Sequence, residues 1–128
     1  MPSPTEITVP QLSRLPGTAI APIIIDVRID DDFAMDPDYI PTALRHPFDQ
    51  IDSLVPDLMG SRVVVYCQKG RKISQGAMSV LRSHGIHAET LQGGHLAWRD
   101  AGMLLCDAFY RWARDASNES HDWPQPRS

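Results

Sequence analysis

Cysteine is scarce in this 128-residue chain, which holds only Cys67 and Cys106. Two cysteines cannot build the disulfide framework of a small secreted domain, and neither has another cysteine or a histidine nearby at the spacing of zinc ligands. The sequence therefore predicts no metal site and no cofactor. A disulfide between the two thiols stays open, although a cytosolic compartment disfavours it. The question becomes what a single thiol does.

Long apolar runs and a large charge of one sign are also missing. No stretch approaches the roughly 20 apolar residues of a membrane span. Residues 1–6 lack the basic and apolar regions of a signal peptide, so we expect a cytoplasmic protein without a membrane partner. Twelve basic against sixteen acidic residues give a net charge of −4, which argues against nucleic acid bound through bulk charge. The oligomeric state is open.

The remaining composition is that of one folded unit, because 42% of the residues are hydrophobic and 128 residues suit one core. Leu105, Phe109, Trp112 and Ala116 recur at helical spacing and predict a last helix. The chain turns polar and proline-containing from about residue 115. We therefore predict a single domain over residues 1–114, including this C-terminal helix, and a flexible tail over residues 115–128.

Two apolar runs without alternation, residues 23–25 and 63–67, are typical of strands that are covered on both faces of a parallel sheet. Further strands are predicted over residues 6–8 and 87–91. Helical segments fall between the strands: residues 10–15, residues 48–59 with a break at Pro56, a helix capped by Ser74 and stopped at Gly85, and residues 94–101. Strands that alternate with helices indicate a doubly wound α/β sandwich.

The most informative segment is a buried strand that runs directly into Cys67 and a basic loop. Ligands bind at the carboxyl ends of strands in open α/β sheets, and a tight strand-to-helix loop points N–H groups inward as an anion nest. Cations stabilise a thiolate as well. The loop residues are Gln68, Lys69, Gly70, Arg71 and Lys72. We interpret Cys67 as a reactive thiolate rather than a small buried residue that ends a strand, and Cys106 as packing.

Four patches, in this order along residues 5–105, resemble the rhodanese family. They are residues 25–28 (IDVR), residues 39–43 (YIPTA), Cys67 with Gly70 three positions later, and residues 91–98 (LQGGHLAW). The resemblance implies a rhodanese-like three-layer sandwich with a central, mostly parallel five-stranded sheet flanked by helices. Residues 73–76 (ISQG) are also similar to the rhodanese-like domains of bacterial chromate-resistance proteins.

The resemblance also implies sulfurtransferase chemistry. Cys67 would take sulfane sulfur from a small-molecule or protein donor, become a persulfide and pass the sulfur to a thiol acceptor. The loop from Gln68 to Lys72 would bind the substrate. Asp26 and Arg28 match residues that support the site, and we prefer a strand-end salt bridge to a catalytic role for them. Gly93 and Gly94 would form a tight turn, and Trp98 would lie in the core.

The chain departs from the family after the cysteine. Many active members have Arg at the fifth following position and Ser or Thr at the sixth, where this chain has Lys72 and Ile73. Lysine keeps the charge but loses bidentate binding of a sulfonate, which Arg71 could supply from the next position. Whether the donor is thiosulfate or a persulfide is therefore open.

Two other function classes compete with sulfur transfer. A cysteine-dependent phosphatase or arsenate reductase needs an arginine after the five residues that follow its cysteine, and Ile73 occupies that position. A non-enzymatic rhodanese module that senses oxidants or sulfur, or binds a protein, remains the alternative. No histidine is identified as a base for Cys67, and His84 and His87 are expected at the surface.

Overall fold

The computed structural model describes residues 5–107, which form a layered α/β domain. The strands are β1 (Glu6–Ile7), β2 (Ile23–Asp26), β3 (Asp38–Tyr39), β4 (Leu44–Arg45), β5 (Arg62–Tyr66), β6 (His87–Leu91) and β7 (Cys106–Asp107). The helices are α1 (Val9–Ser13), α2 (Asp30–Met35), a 3-10 helix (Phe48–Leu54), α3 (Val55–Leu58), α4 (Lys72–Ser83) and α5 (Gly94–Asp100). None of the helices in this part of the chain is long and apolar enough to cross a membrane.

Five strands form an all-parallel sheet in the order β1-β6-β5-β2-β4. Val65 of β5 pairs with Ile25 of β2 on one side and with Thr90 of β6 on the other. The predicted α/β sandwich with a five-stranded sheet is confirmed. Its fifth strand, β4, gives no apolar signal in the sequence because Leu44 and Arg45 are both exposed.

The packing of the central strand β5 explains why its sequence is continuously apolar. Val63 and Val65 pack in one buried cluster with Leu81 of α4, whereas Val64 and Tyr66 pack in a second cluster with Trp98 of α5. Alternate side chains of a strand point to opposite faces, so both faces of this strand are covered by helices. The prediction that Trp98 lies in the core is confirmed.

The helix after the cysteine loop begins earlier than predicted. It starts at Lys72, and Ser74 lies within its first turn instead of capping it. Arg71 occupies the N-cap position without a side-chain cap, and the Ser74 hydroxyl donates to the Arg71 carbonyl at 3.2 Å. The turn from β5 to α4 is therefore short, only residues 67–71. The predicted stop is confirmed, since Gly85 follows the helix with a φ of +80°.

Two short helical segments differ from the sequence prediction. Pro56 does not interrupt a helix, because a 3-10 helix ends just before α3 and Pro56 lies in the first turn of α3, where proline is tolerated. Helix α2 was not predicted from the sequence. It buries none of its residues and so lacks an apolar stripe, although the three aspartates in its first turn suit the helix dipole.

The prediction of a last helix that begins near Leu105 is wrong at its first residues. Cys106 lies in β7, which pairs antiparallel with β3 through Tyr39, so the segment continues as an extended strand. Cys106 is half-buried against the cluster that contains Trp98, which fits its interpretation as packing. Residues 108–128, with Phe109, Trp112 and Ala116, lie outside the described residues. The domain boundary at residue 114 and the tail remain predictions.

Candidate active site

Cys67 follows β5 directly, and its sulfur is held by a serine. The side chain is buried, and its Sγ–H donates to the Ser74 Oγ at 3.2 Å. Ser74 is fully buried in the first turn of α4. Because a hydroxyl can rotate, the Ser74 hydroxyl can instead donate a hydrogen bond to the Cys67 thiolate. Sequence analysis missed Ser74 as a site residue; the available signal was a hydroxyl side chain seven positions after the cysteine.

The backbone of the loop is fastened to the start of α5. The backbone N–H of His95 donates to the Cys67 carbonyl at 2.9 Å, and that of Leu96 donates to the Gln68 carbonyl at 3.0 Å. The C=O and N–H of a trans peptide point in opposite directions, so the N–H groups of Gln68 and Lys69 are directed away from α5. The loop therefore presents N–H donors on its other side.

Two glycines make this close contact between loop and helix achievable. Gly70 has a φ of +70°, and a Cβ there would lie 2.8 Å from backbone atoms of Leu91, Gly93 and Gly94. Gly94 has a φ of +64°, and a Cβ there would collide with the Cys67 carbonyl and the Gly70 nitrogen. Gly93 also has a positive φ, so the tight turn predicted at Gly93 and Gly94 is confirmed.

Cys67 faces a pocket of about 440 Å³ at the carboxyl end of the sheet. The lining residues are Cys67, Gln68, Lys69, Arg71, Lys72 and Ile73 from the loop and α4, together with Asp32 from α2. The three cationic side chains belong to exposed residues and have no ion-pair partner within residues 5–107. The structure thus gathers the predicted loop residues around the thiol, while Gly70 lies behind them against α5.

Asp26 and Arg28 form a buried ion pair next to this loop. The Arg28 Nη2 lies 2.7 Å from the Asp26 Oδ2, and both side chains are fully buried. The Arg28 backbone N–H and the Tyr66 hydroxyl also donate to the Asp26 carboxylate, at 2.9 Å and 3.0 Å. A buried ion pair is tolerated only when its remaining hydrogen-bonding capacity is used, as it is here. Neither residue lines the pocket.

Gln68 links the pocket to this ion pair. Its Nε2 donates to the Asp36 Oδ2 at 2.8 Å, and its Oε1 lies 3.4 Å from the Arg28 Nη1. The hydrogen bond from Gln68 and the charge and hydrogen bond of Arg99 lower the pKa of Asp36. Gln68 is therefore held in place by a polar network that begins at Arg28, although its side chain borders the pocket.

His95 lies behind the loop and not in the pocket. It is fully buried, and neither ring nitrogen has a hydrogen-bond partner in the described structure. Its ring stacks on Tyr66 with centroids 6.1 Å apart. Burial, and next the charge of Arg28, lower the pKa of His95. No histidine lines the pocket in the described part of the chain, and His84 and His87 are exposed as predicted.

Comparison with solved structures places this geometry among known folds. A rhodanese-like domain protein from Staphylococcus aureus is 29% identical, with a TM-score of 0.64 over 73% of this chain and 90% of that one. A rhodanese-related protein from Thermoplasma volcanium is 20% identical, with a TM-score of 0.65 over 78% and 95%. A probable thiosulfate sulfurtransferase is 24% identical, with a TM-score of 0.61 over 79% of this chain and 47% of that one. No curated protein matches the chain.

The family assignment rests on sequence as well as shape. The rhodanese-like domain family matches residues 8–101, which hold all four patches identified in the sequence. The similarity of residues 73–76 to chromate-resistance proteins stays a prediction. The parallel sheet, the glycine-fastened loop and the family match together show that this chain belongs to the rhodanese-like domain family.

Proposed function

We propose that the protein is a sulfurtransferase that carries sulfane sulfur as a persulfide on Cys67. The observation that carries this proposal is the position of the thiol: it faces a pocket bordered by three cations that have no ion-pair partner in the described part of the chain, at the carboxyl end of a central parallel strand. Lys69, Arg71 and Lys72 attract an anionic donor and stabilise the thiolate that attacks it. The expected compartment is a reducing one such as the cytoplasm, where Cys67 stays available.

The transfer has two halves, and both conserve atoms and electrons. The Cys67 thiolate attacks the outer sulfur of the donor, whose S–S bond breaks, and the remainder leaves as sulfite from thiosulfate or as a thiolate from a persulfide. An acceptor thiolate then attacks the outer sulfur of the Cys67 persulfide and restores the Cys67 thiolate. Each half is thiol–disulfide-type exchange, in which the outcome depends on the thiolate and the leaving group.

The surrounding residues support this reaction without taking part in it. Ser74 restrains the attacking sulfur, and Asp26 with Arg28 holds Gln68 at the edge of the pocket. Because catalysis depends on positioning of the reacting atoms, loosening of this support would slow the loading of sulfur. We assign Asp26 and Arg28 to this positioning role and not to proton transfer.

Intact-mass spectrometry tests the proposal. After exposure to thiosulfate or to glutathione persulfide, we expect a gain of about 32 Da for each added sulfur, located on Cys67. Cys67→Ser should abolish the gain, and the matched control Cys106→Ser should retain it. Unchanged sulfur uptake by Cys67→Ser would overturn the proposal. If Cys67 takes up sulfur but passes it to neither cyanide nor any thiol, the sensor alternative replaces the enzyme.

A further inference from the structure

One carboxylate borders the otherwise cationic pocket. Helix α2 begins with three aspartates, and they differ in their surroundings. Asp30 pairs with Arg45 at 2.8 Å, and Asp31 is exposed away from the pocket. Asp32 is half-buried, lines the pocket that Cys67 faces, and has no ion-pair partner within residues 5–107. Among the described residues, the pocket therefore presents an anion without an ion-pair partner as well as cations without one.

The position of Asp32 is determined by contacts of its helix with the buried residue Arg28. Two guanidinium groups contact the Phe33 ring, with the Arg28 Cζ 4.9 Å and the Arg45 Cζ 4.3 Å from its centroid. Such cation–π contacts favour a defined ring position. Arg28 also donates to the Asp36 carbonyl just after α2, at 3.0 Å. Asp32 is thus carried by a helix that is anchored to the buried ion pair at both of these points.

The single carboxylate in the pocket distinguishes a small dianion from a zwitterion. Thiosulfate would gain from Lys69, Arg71 and Lys72 but would be repelled by Asp32. A donor with an ammonium group and a carboxylate would find an opposite charge for each. The volume of about 440 Å³ is also in the range of roughly 300–1,000 Å³ in which pockets enclose organic ligands, and a sulfur oxyanion leaves most of it unfilled.

We propose that Asp32 selects sulfur donors that carry an ammonium group, namely persulfides of amino-acid or small-peptide thiols. This inference rests on the proposed function of Cys67. Asp32 binds the ammonium group, and the loop cations bind the carboxylate of the donor. The Cys67 thiolate takes the outer sulfur as the donor S–S bond breaks, and the donor leaves as its thiolate.

Paired donors test the proposal. Cysteine persulfide carries the ammonium group, and N-acetylcysteine persulfide lacks it with the same reacting atoms. We expect the wild-type protein to load Cys67 from cysteine persulfide with a several-fold higher kcat/KM. Asp32→Asn should reduce that value by about 5- to 10-fold, as expected for one charge-assisted contact, and should leave N-acetylcysteine persulfide and thiosulfate unchanged or improved. The matched control Asp31→Asn, one position earlier on the same helix, should change neither.

The outcomes separate this inference from the proposed function. If Asp32→Asn alters all three donors by the same factor, or if the wild-type protein does not distinguish the two cysteine-derived persulfides, Asp32 is not a selectivity residue, while sulfur transfer by Cys67 still stands. If no donor places sulfur on Cys67, both the proposed function and this inference are wrong. Circular dichroism of each variant checks that α2 and the domain remain folded.

Discussion

At the scale of single residues, the sulfur of Cys67, the nucleophile of the proposed reaction, contacts a neutral hydroxyl, and no histidine lines its pocket in the described part of the chain. Ser74 is the side chain that the structure brings to the Cys67 sulfur, and it is anchored in turn to the Arg71 carbonyl. A hydroxyl at this place can accept from the thiol or donate to the thiolate, so it serves both protonation states. In the proposed reaction, the cations of the loop stabilise the thiolate, and Ser74 positions the Cys67 sulfur.

We therefore expect Ser74→Ala to slow persulfide formation on Cys67 by about 5- to 20-fold. The variant loses the hydrogen bonds of the Ser74 hydroxyl with Cys67 and with the Arg71 carbonyl, which should lower the free energy of unfolding by about 1–2 kcal/mol. Loading rates by mass spectrometry and urea unfolding measure the two effects. Ser79→Ala, at an exposed position of the same helix, is the control. Equal loading rates for the wild type and Ser74→Ala would show that the hydroxyl does not position the sulfur.

At the scale of elements, the site is the junction of the β5–α4 loop with the start of α5. Carbonyls of the loop accept N–H groups of α5, and glycines on both sides permit backbone atoms to touch. The two segments are far apart in the sequence, so their contact depends on parallel pairing of β5 with β6. Local unfolding of either segment would release the other, and with it the geometry around Cys67.

Gly94→Ala tests this junction. A methyl group there meets the Cys67 carbonyl and the Gly70 nitrogen at a backbone φ of +64°, so we expect a loss of about 1–3 kcal/mol in the free energy of unfolding and at least a tenfold loss of sulfur loading. The control is Gly76→Ala in α4, where nothing lies within 4 Å of an added Cβ. That change should stabilise the helix by up to about 1 kcal/mol. Normal loading by a folded Gly94→Ala protein would contradict the role given to the junction.

At the scale of the whole molecule, a buried polar cluster links two neighbouring strands of the sheet to a helix that covers it. It runs from Asp26 on β2 through Tyr66 on β5 to the ring of His95 on α5. The charged groups that face His95 are Arg28, Asp26, Asp36 and Asp38. Burial and then Arg28 outweigh the three carboxylates, so the pKa of His95 lies below its ordinary value of 6.5. The folded state therefore disfavours protonation of His95 relative to the unfolded chain.

This predicts a loss of stability in mildly acidic solution. The unfolded chain takes up a proton near pH 6.5 more readily than the folded protein, so the free energy of unfolding should fall as the pH drops below about 6.5. The contribution of one histidine is at most about 1.4 kcal/mol per pH unit. Urea unfolding at pH 7.5 and pH 5.5 measures it, and His95→Gln should reduce the difference between the two.

His84→Gln, which changes an exposed histidine, is the matched control and should leave that difference unaltered. Asp36 does not interfere, because its lowered pKa places its own loss of stability in more acidic solution, below its ordinary value of 3.8. An identical pH dependence for the wild type and His95→Gln would show that His95 does not titrate with unfolding.

The sequence by itself determined the central strands of the sheet and the position of the candidate site. Strands buried on both faces leave uninterrupted apolar runs, so β2 and β5 could be located without the structure, and the loop of glycine and cations after β5 identified Cys67. These signals are local: each depends on the environment of consecutive residues. For the same reason, the sequence gives no signal for β4 and α2, since β4 is exposed and α2 buries no residue.

Only the tertiary structure decided which side chains meet the thiol and the pocket. Ser74 has the sequence signature of a helix cap, yet an earlier start of α4 turns its hydroxyl to Cys67. Asp32 lies in an acidic run that is typical of a solvated helix start, yet α2 brings it to the pocket of Cys67, which lies 35 positions further along the chain. Contacts of this kind depend on strand order and helix phase, which arise from packing of the whole domain and leave no pattern among neighbouring residues.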